Sequence, residues 1–109
     1  MGFAASQARF LVLTARKSDL ELVGQQINMS RTQLANITNQ LLQISMNFEP
    51  GSPQQEHLNV RIAALQSIDK SLETQLRRVD TQRDSVQTEI DAVHKVISKN
   101  IEMSFKTFG

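Results

Sequence analysis

Few side chains in this sequence have the type and spacing that catalysis or metal binding requires. The two histidines, His57 and His94, lie far apart in the chain. Neither has a second nitrogen ligand at helical spacing, as a protein zinc site would need. Cysteine is absent, which excludes disulfides, cysteine-ligated zinc and thiol nucleophiles together. The sequence therefore predicts no metal site and no cofactor site.

The remaining polar residues also lack a catalytic arrangement. Glu89 and Asp91 are two positions apart and cannot share one helix face, so they do not form a carboxylate pair. None of the serines stands in the strand-to-helix turn of a nucleophile elbow. The four glycines form no phosphate-binding loop. We therefore expect a protein that is not an enzyme and has no catalytic residues.

The composition favours an elongated helical protein over a compact globule. The 109 residues include five Phe, no Tyr and no Trp, although aromatic residues usually supply much of a compact core. Lys and Arg number 12 against 11 Asp and Glu, so the formal net charge is +1. A nucleic-acid-binding protein would carry a basic stripe. We therefore expect no nucleic-acid partner.

The N-terminal stretch does not have the pattern of a secretory signal. Its apolar run extends only from Phe10 to Leu13, whereas a signal peptide needs about seven or more apolar residues. No window approaches the roughly 20 apolar residues of a membrane span. Met1 and Gly2 open a weak myristoylation pattern, and residues 3–17 are a weak candidate for a membrane-surface helix. We expect no membrane partner, and we expect any export to be independent of a signal peptide.

Two apolar series with a period of seven residues predict two long amphipathic helices that pack as an antiparallel coiled coil. The predicted seam consists of Leu13, Leu20, Ile27, Leu34, Leu41, Leu58, Leu65, Leu72, Val79, Val86 and Val93. A companion column follows three residues after members of the first series, at Val23, Ile37 and Ile44. In the second helix, the companion column follows four residues after, at Ile62, Leu76, Ile90 and Ile97.

The segment "NFEPGSPQQE" near the midpoint of the chain predicts a single turn. The residue before Pro50 disfavours the helical region, and Gly51 permits a positive φ. Ser52 is a good N-cap with Gln55 three residues later, and Pro53 suits the first helical position. We predict a first helix over about 4–48, a turn over 49–52 and a second helix over about 53–107. The fold class is an all-α, two-helix hairpin in a single domain.

Folding the chain at this turn brings together residues whose numbers total about 103. The polar exceptions in the seam then pair. Asp69 is expected near Arg31, and Arg83 is expected near Asp19 and Glu21. Such pairs contribute little energy when they are exposed, but they fix the register of the two helices against sliding.

The sequence "ARKSDLEL" leaves open a second helix start. Ser18 followed by Glu21 resembles a capping box, which would leave residues 3–16 as a separate short helix. We expect one continuous helix. Gly24 is a weak point in it, at a cost of up to about 1 kcal/mol relative to Ala.

Apolar residues near the two chain ends exceed what the seam can bury. The run "FLVL" is apolar all round a helix, and an exposed apolar patch marks a partner surface. We expect a homo-oligomer in which these residues form the contact between copies. The predicted self-assembly interface consists of Phe3, Phe10, Leu11, Val12, Ile101, Phe105 and Phe108.

Three features occur together: a cysteine-free hairpin, a Pro-Gly-Ser-Pro turn and an apolar C-terminal stretch, "NIEMSFKTFG". This layout resembles the small helical-hairpin subunits of type III secretion needles. Flagellar axial proteins are similar in pairing N- and C-terminal helices inside a tube. The resemblance implies a filament or tube subunit at the cell surface or outside the cell. It also implies a type III or flagellar-like export route, with secretion machinery or a chaperone as further partners.

Residues 4–36 also resemble the start of an uncharacterised set of bacterial proteins, to which no activity is attached. A second function stays open beside the filament. The hairpin could be a cytoplasmic coiled-coil adaptor or secretion chaperone that dimerises into a four-helix bundle. Such a bundle would need a second apolar stripe along residues 70–92, where the sequence is polar outside the seam.

Overall fold

The computed structural model describes residues 2–108, with side chains through Lys106. It contains two α-helices, α1 over Phe3–Ser45 and α2 over Pro53–Phe108, and these described residues include no strand. The predicted all-α class is confirmed. α1 continues without interruption through Ser18 and Gly24, so the alternative helix start at Ser18 is not used.

α1 ends at Ser45, three residues before the sequence reading placed its end. The chain tightens there, because the amide of Asn47 donates to the carbonyl of Ile44 at 3.1 Å and that of Phe48 donates to Ser45 at 3.2 Å. The hydroxyl of Ser45 donates to the carbonyl of Leu42 at 2.8 Å. Serine that bonds backward in this way competes with the regular helix ladder, and the i to i+3 bonds close the last turn.

The reversal itself is a β-turn over residues 49–52. The amide of Ser52 donates to the carbonyl of Glu49 at 3.0 Å. Pro50 occupies the second position of the turn and Gly51, with φ of +79°, occupies the third. This is the type II turn, which favours proline at its second residue and requires positive φ at its third. Glycine adopts that conformation without steric cost.

α2 begins with a modified capping box. The amide of Gln55 donates to the hydroxyl of Ser52 at 3.2 Å, as expected of an N-cap serine. The side-chain oxygen of Gln55 accepts from the amide of Gly51 at 3.0 Å rather than from that of Ser52. The reason is that the amide of Ser52 is already used in the β-turn. Each of these amides is therefore satisfied before the helix ladder begins.

The chain forms two compact units, and both helices contribute to each. The turn unit consists of residues 24–78. The terminal unit consists of the described residues of 1–23 and 79–109. Each unit is a pair of helix segments, one from α1 and one from α2.

Buried and half-buried side chains recur at alternate spacings of three and four residues along both helices. We assign heptad positions on this basis, with d for the series that contains Leu13 and Leu58 and a for the position four residues after d. All residues of the seam series occupy d positions, and each is buried or half-buried. Positions g and c lie on one side of this seam, the g side. Positions e and b lie on the other, the e side.

The a column differs between the two helices. Between Leu58 and Asn100 of α2 it consists of Ile62, Asp69, Leu76, Arg83, Ile90 and Ile97, all of them buried or half-buried. In α1 it consists of Phe3, Phe10, Lys17, Gly24, Arg31, Thr38 and Ser45, of which only Phe10 and the exposed Phe3 are large apolar residues.

The expectation that Val23, Ile37 and Ile44 complete the seam of α1 is wrong, because they occupy g positions and are exposed. The rotation of α1 that the structure adopts places Arg31 at an a position, where it reaches Asp69 in the a column of α2. A seam that used the g column would have turned Arg31 away from that partner.

Each unit has its own apolar core. The terminal unit is centred on Leu13, Val86 and Val93, with four half-buried residues packed against them, namely Phe10, Leu20, Ile90 and Ile97. In the turn unit the buried apolar residues are Ile27, Leu41 and Ile62. These cores are narrow, because two helices can bury only one stripe each.

Candidate assembly surface

Two contacts in the terminal unit show which heptad positions meet on each side of the seam. Nη2 of Arg9 donates to Oε2 of Glu89 at 2.7 Å, and both residues occupy g positions. The rings of Phe10 and His94, at positions a and e, lie 6.2 Å apart between centroids. Two antiparallel helices place equal heptad positions on the same side of their seam, so the g residues of both helices share one side and the e residues share the other.

Three exposed apolar side chains of the terminal unit lie on its e side, and a fourth lies in the adjoining a column. Leu11 of α1 and Ile101 and Phe105 of α2 occupy b and e positions, and Phe3 of α1 occupies the a position one heptad before Phe10. Leu11 and Phe105 are the most open of them, at 68% and 75% exposed. We call these four residues the terminal patch. They bring together two aromatic and two aliphatic side chains that the core of the unit does not cover.

The other three residues predicted for the interface have different positions. Phe10 is half-buried and packs against the core of Leu13, Val86 and Val93. Its ring therefore belongs to the core of the unit and not to the exposed patch. Val12 is exposed but occupies a c position, on the g side. The side chain of Phe108 lies outside the described residues.

Charge separates the two sides of the terminal unit. Between residues 4–14 and 94–105, the e and b positions hold no Asp, Glu, Lys or Arg. Over the same stretches the g side carries Arg9 and Lys99, and Arg9 is bonded to Glu89. The e side can therefore be covered by an apolar partner without desolvating a charge, whereas covering the g side would incur that cost.

The turn unit differs from the terminal unit, because an ion-paired cluster occupies a and e positions on the e side of its seam. Nε and Nη2 of Arg31 donate to the two carboxylate oxygens of Asp69 at 2.9 and 3.3 Å. Glu73, at an e position, lies 3.8 Å from the same guanidinium. The predicted proximity of Arg31 and Asp69 is confirmed. A forked guanidinium contact of this kind fixes geometry as well as attracting charge.

This pair changes the titration of both partners. The hydrogen bonds from Arg31, with its charge as a further cause, hold the pKa of Asp69 below its usual range even though burial acts in the other direction. The pKa of Arg31 is raised, first by its hydrogen bond to Asp69 and then by the charges of Asp69 and Glu73. Both groups are therefore ionised at neutral pH.

The second predicted cross-helix pairing is wrong. Arg83 was expected near Asp19 and Glu21, but its guanidinium lies 3.9 Å from Asp80 and 3.8 Å from Asp84 on its own helix. Carboxylates three residues before and one residue after Arg83 on the same helix are within reach of its flexible side chain. Pairs within one helix contribute nothing to register.

An open groove of about 580 Å³ runs along the e side of the turn unit. Most of the residues that line it have polar side chains, among them Arg31, Thr38, Asn39, Gln66 and Asp69. These groups offer hydrogen bonds, but the Arg31–Asp69 pair already uses the two charged ones. Across residues 2–108 the described side chains contain no group of three or more His, Asp or Glu that could hold a metal ion.

Two buried polar groups in the terminal unit were not predicted from the sequence. The hydroxyl oxygen of Ser6 and the amide nitrogen of Asn100 are buried without a hydrogen-bond partner. Both residues occupy d positions, one heptad beyond Leu13 and Val93 respectively. Counting by sevens past those residues would have located them. They show that the apolar seam ends before the chain does.

Neither helix has a stretch long and apolar enough to cross a bilayer, within the part of the chain that the structure describes. Comparison with known proteins gives no match for the chain, since no family model, no curated protein and no solved structure matches it.

Proposed function

We propose that this protein is a structural subunit that self-assembles through its terminal patch into a helical filament or tube. The observation that carries the proposal is the terminal patch itself. Leu11, Ile101 and Phe105 are exposed on the uncharged e side of a unit whose own core is already filled by other residues, and Phe3 is exposed in the adjoining a column. Exposed apolar surface of this kind is characteristic of a contact between proteins.

The gain from covering the patch is large for so small a unit. Each large apolar side chain contributes about 1.5–3 kcal/mol when it is fully buried, so four contribute roughly 6–12 kcal/mol at most. Lost translational and rotational freedom offsets about 4–15 kcal/mol of such a gain. A single contact is therefore weak, and a repeated contact along a filament is what makes the assembly stable.

The export route rests on the resemblance to type III needle subunits and on the absence of cysteine. In this proposal the subunits reach the cell surface or the exterior through a type III or flagellar-like channel, with a chaperone or the secretion machinery as transient partners. In cells that make the protein, inactivating that export apparatus should remove it from the medium while the cytoplasmic pool remains. Unchanged export would contradict the route and leave the assembly intact.

A dimeric four-helix bundle acting as an adaptor is the alternative, and the middle of α2 disfavours it. A full-length bundle needs a second apolar stripe. Every large apolar side chain in residues 70–92, all of which the structure describes, is buried or half-buried in the seam. The outer surface of this segment instead carries charges such as Arg77 and Asp84.

The proposal is tested by two adjacent substitutions, Leu11→Asp and Val12→Asp. Both residues are exposed on the same turn of α1, at 68% and 59%, but they lie on opposite sides of the seam. A charge in the terminal patch must be desolvated when copies meet, so Leu11→Asp should reduce pelleted protein by about tenfold or more. Val12→Asp should assemble as the unmodified chain does.

Circular dichroism checks that both variants remain helical, and negative-stain microscopy checks the particles. Assembly that survives Leu11→Asp, or that is lost equally in both variants, would refute a contact through the e side of the terminal unit.

A further inference from the structure

The turn unit carries a second set of exposed apolar residues, on its g side. Ile37 and Ile44 of α1 and Ile68 of α2 all occupy g positions, and all three are exposed. Because equal heptad positions of antiparallel helices share one side, these three isoleucines form a common surface.

The turn unit cannot bury this surface by itself. Its d positions are filled by residues such as Ile27 and Leu41, and its a column is closed by Ile62 and the Arg31–Asp69 pair. Both columns already face the seam. Rotating α1 to bury Ile37 would turn Arg31 out of reach of Asp69, so the two arrangements exclude one another.

The charge pattern identifies what covers this side. α1 has no charged residue from Thr32 to Phe48, and among the g and c positions facing that segment on α2 the charged residue is Arg61, near the turn. Apart from Arg61 near the turn, a charged partner would find no counter-charge here. A second copy of the same side, by contrast, is apolar and amide-rich, and it meets its twin without like charges opposed at the centre.

We infer that the g side of the turn unit binds the g side of a second copy, as a two-fold symmetric contact between four helix segments. The e side of the same unit is unsuited to this contact, since a two-fold operation would bring two copies of Arg31, Asp69 and Glu73 together. The contact is separate from the terminal patch and does not rest on the proposed function. With both contacts, each copy touches two neighbours, which is the minimum that a continuous assembly requires.

The test uses the full chain with Leu11→Asp, so that contacts through the terminal patch are removed. Sedimentation equilibrium should then find a dimer, at twice the mass of one chain. Adding Ile37→Asp should raise the dimer dissociation constant by about tenfold or more and yield monomers. Asn39→Asp is the matched control, because it places the same charge two residues away, on the e side, and should leave the dimer unchanged.

A monomeric Leu11→Asp protein at millimolar concentration would overturn the inference while leaving the terminal patch intact as an interface. If Leu11→Asp protein remains polymeric, the proposed function fails instead. In that case, adding Ile37→Asp should shorten or dissolve the Leu11→Asp polymer, and adding Asn39→Asp should leave the polymer unchanged. Equal behaviour of these two variants in either background would overturn it. Circular dichroism confirms that each variant is helical.

Discussion

α1 and α2 use the same heptad positions for their seam, but they fill these positions with different chemistry. The d columns of both helices are apolar from Leu13 to Leu41 and from Leu58 to Val93. The a column of α2 is mostly Ile and Leu, whereas that of α1 includes Lys17, Gly24 and Arg31. α2 thus supplies most of the second stripe of the seam.

The difference has a consequence for the surface of each helix. α1 is apolar enough to fill a second column, but several of its apolar residues occupy outward positions, among them Leu11, Ile37 and Ile44. α2 has no large apolar residue exposed between Ile68 and Val96. α2 therefore contributes mainly to the subunit core, and α1 contributes strongly to the two surfaces that we assign to contacts between copies.

The largest expected effect is the difference in stability between substituting a buried seam residue of α1 and substituting an exposed apolar residue of the same helix. Ile27 at a d position is 8% exposed, and Ile37 at a g position is 43% exposed. Ile27→Ala should destabilise the subunit by about 2–5 kcal/mol, because it leaves a cavity in the turn unit. Ile37→Ala should change stability by about 0.5 kcal/mol or less.

Urea unfolding followed by circular dichroism measures both variants, at a concentration low enough to avoid assembly. Equal losses of unfolding free energy in Ile27→Ala and Ile37→Ala would mean that the g column of α1 packs in the seam, as predicted from the sequence. That result would contradict the difference between the two helices described above.

A smaller effect is expected where α2 begins. Ser52→Ala removes the hydroxyl that accepts from the amide of Gln55 and should cost about 1 kcal/mol. Ser67→Ala, in the exposed interior of α2, is the control and should be neutral or slightly stabilising, because alanine is the better helix former. The cap contributes nothing if the two variants have the same midpoint of thermal unfolding.

A stabilising change of similar size is expected in the d column of α1. The hydroxyl of Ser6 is buried without a partner, and leaving such a group unsatisfied costs about 1–3 kcal/mol. Ser6→Ala should therefore stabilise the terminal unit by about 1 kcal/mol beyond the gain from helix propensity. Ser18→Ala on the exposed surface of α1 measures that propensity gain alone. A Ser6→Ala protein no more stable than Ser18→Ala would show that the hydroxyl has a partner.

The smallest effect concerns the ion pair that Arg31 and Asp69 form between the a columns of the two helices. Since the folded-state pKa of Asp69 is lowered by Arg31, its stabilisation is fully present above the ordinary value of 3.8 and is lost as the pH falls through the folded-state value. Asp69→Asn should therefore lower the unfolding temperature slightly at pH 7. This difference in unfolding temperature between Asp69→Asn and the unmodified chain should shrink as the pH falls below the folded-state pKa of Asp69. A constant difference down to strongly acid pH would exclude the carboxylate charge as its cause.

Much of the fold could be predicted from the residues. The d columns follow from Leu and Val at sevenfold spacing, and α2 begins at Pro53 because Ser52, Pro53 and Gln55 form an N-cap. The register could also be predicted, because it needs only the turn. Arg31 pairs with Asp69, and these numbers total 100 where the turn predicted about 103.

The rotation of α1 could not be predicted from its apolar pattern alone. The g column (three residues after d) and the a column (four residues after d) are adjacent on a helix. In α1 the g column contains apolar residues such as Ile37 and Ile44, whereas the a column is mostly polar. The structure favours the column that places Arg31 opposite Asp69. For the same reason, the run "FLVL" did not predict that Leu11 and Val12 lie on opposite sides of the seam. A sequence gives the spacing of residues along a helix but not the rotation of the helix about its axis.

We propose that copies of this chain bury the terminal patch against one another. Sedimentation velocity of the unmodified protein over a range of concentrations tests this contact. We expect rapidly sedimenting polymers whose fraction grows with concentration, and we expect that fraction to be lost in Leu11→Asp but not in Val12→Asp. A monomer that persists at the highest concentration, with Phe3 and Phe105 in contact with solvent, would contradict it.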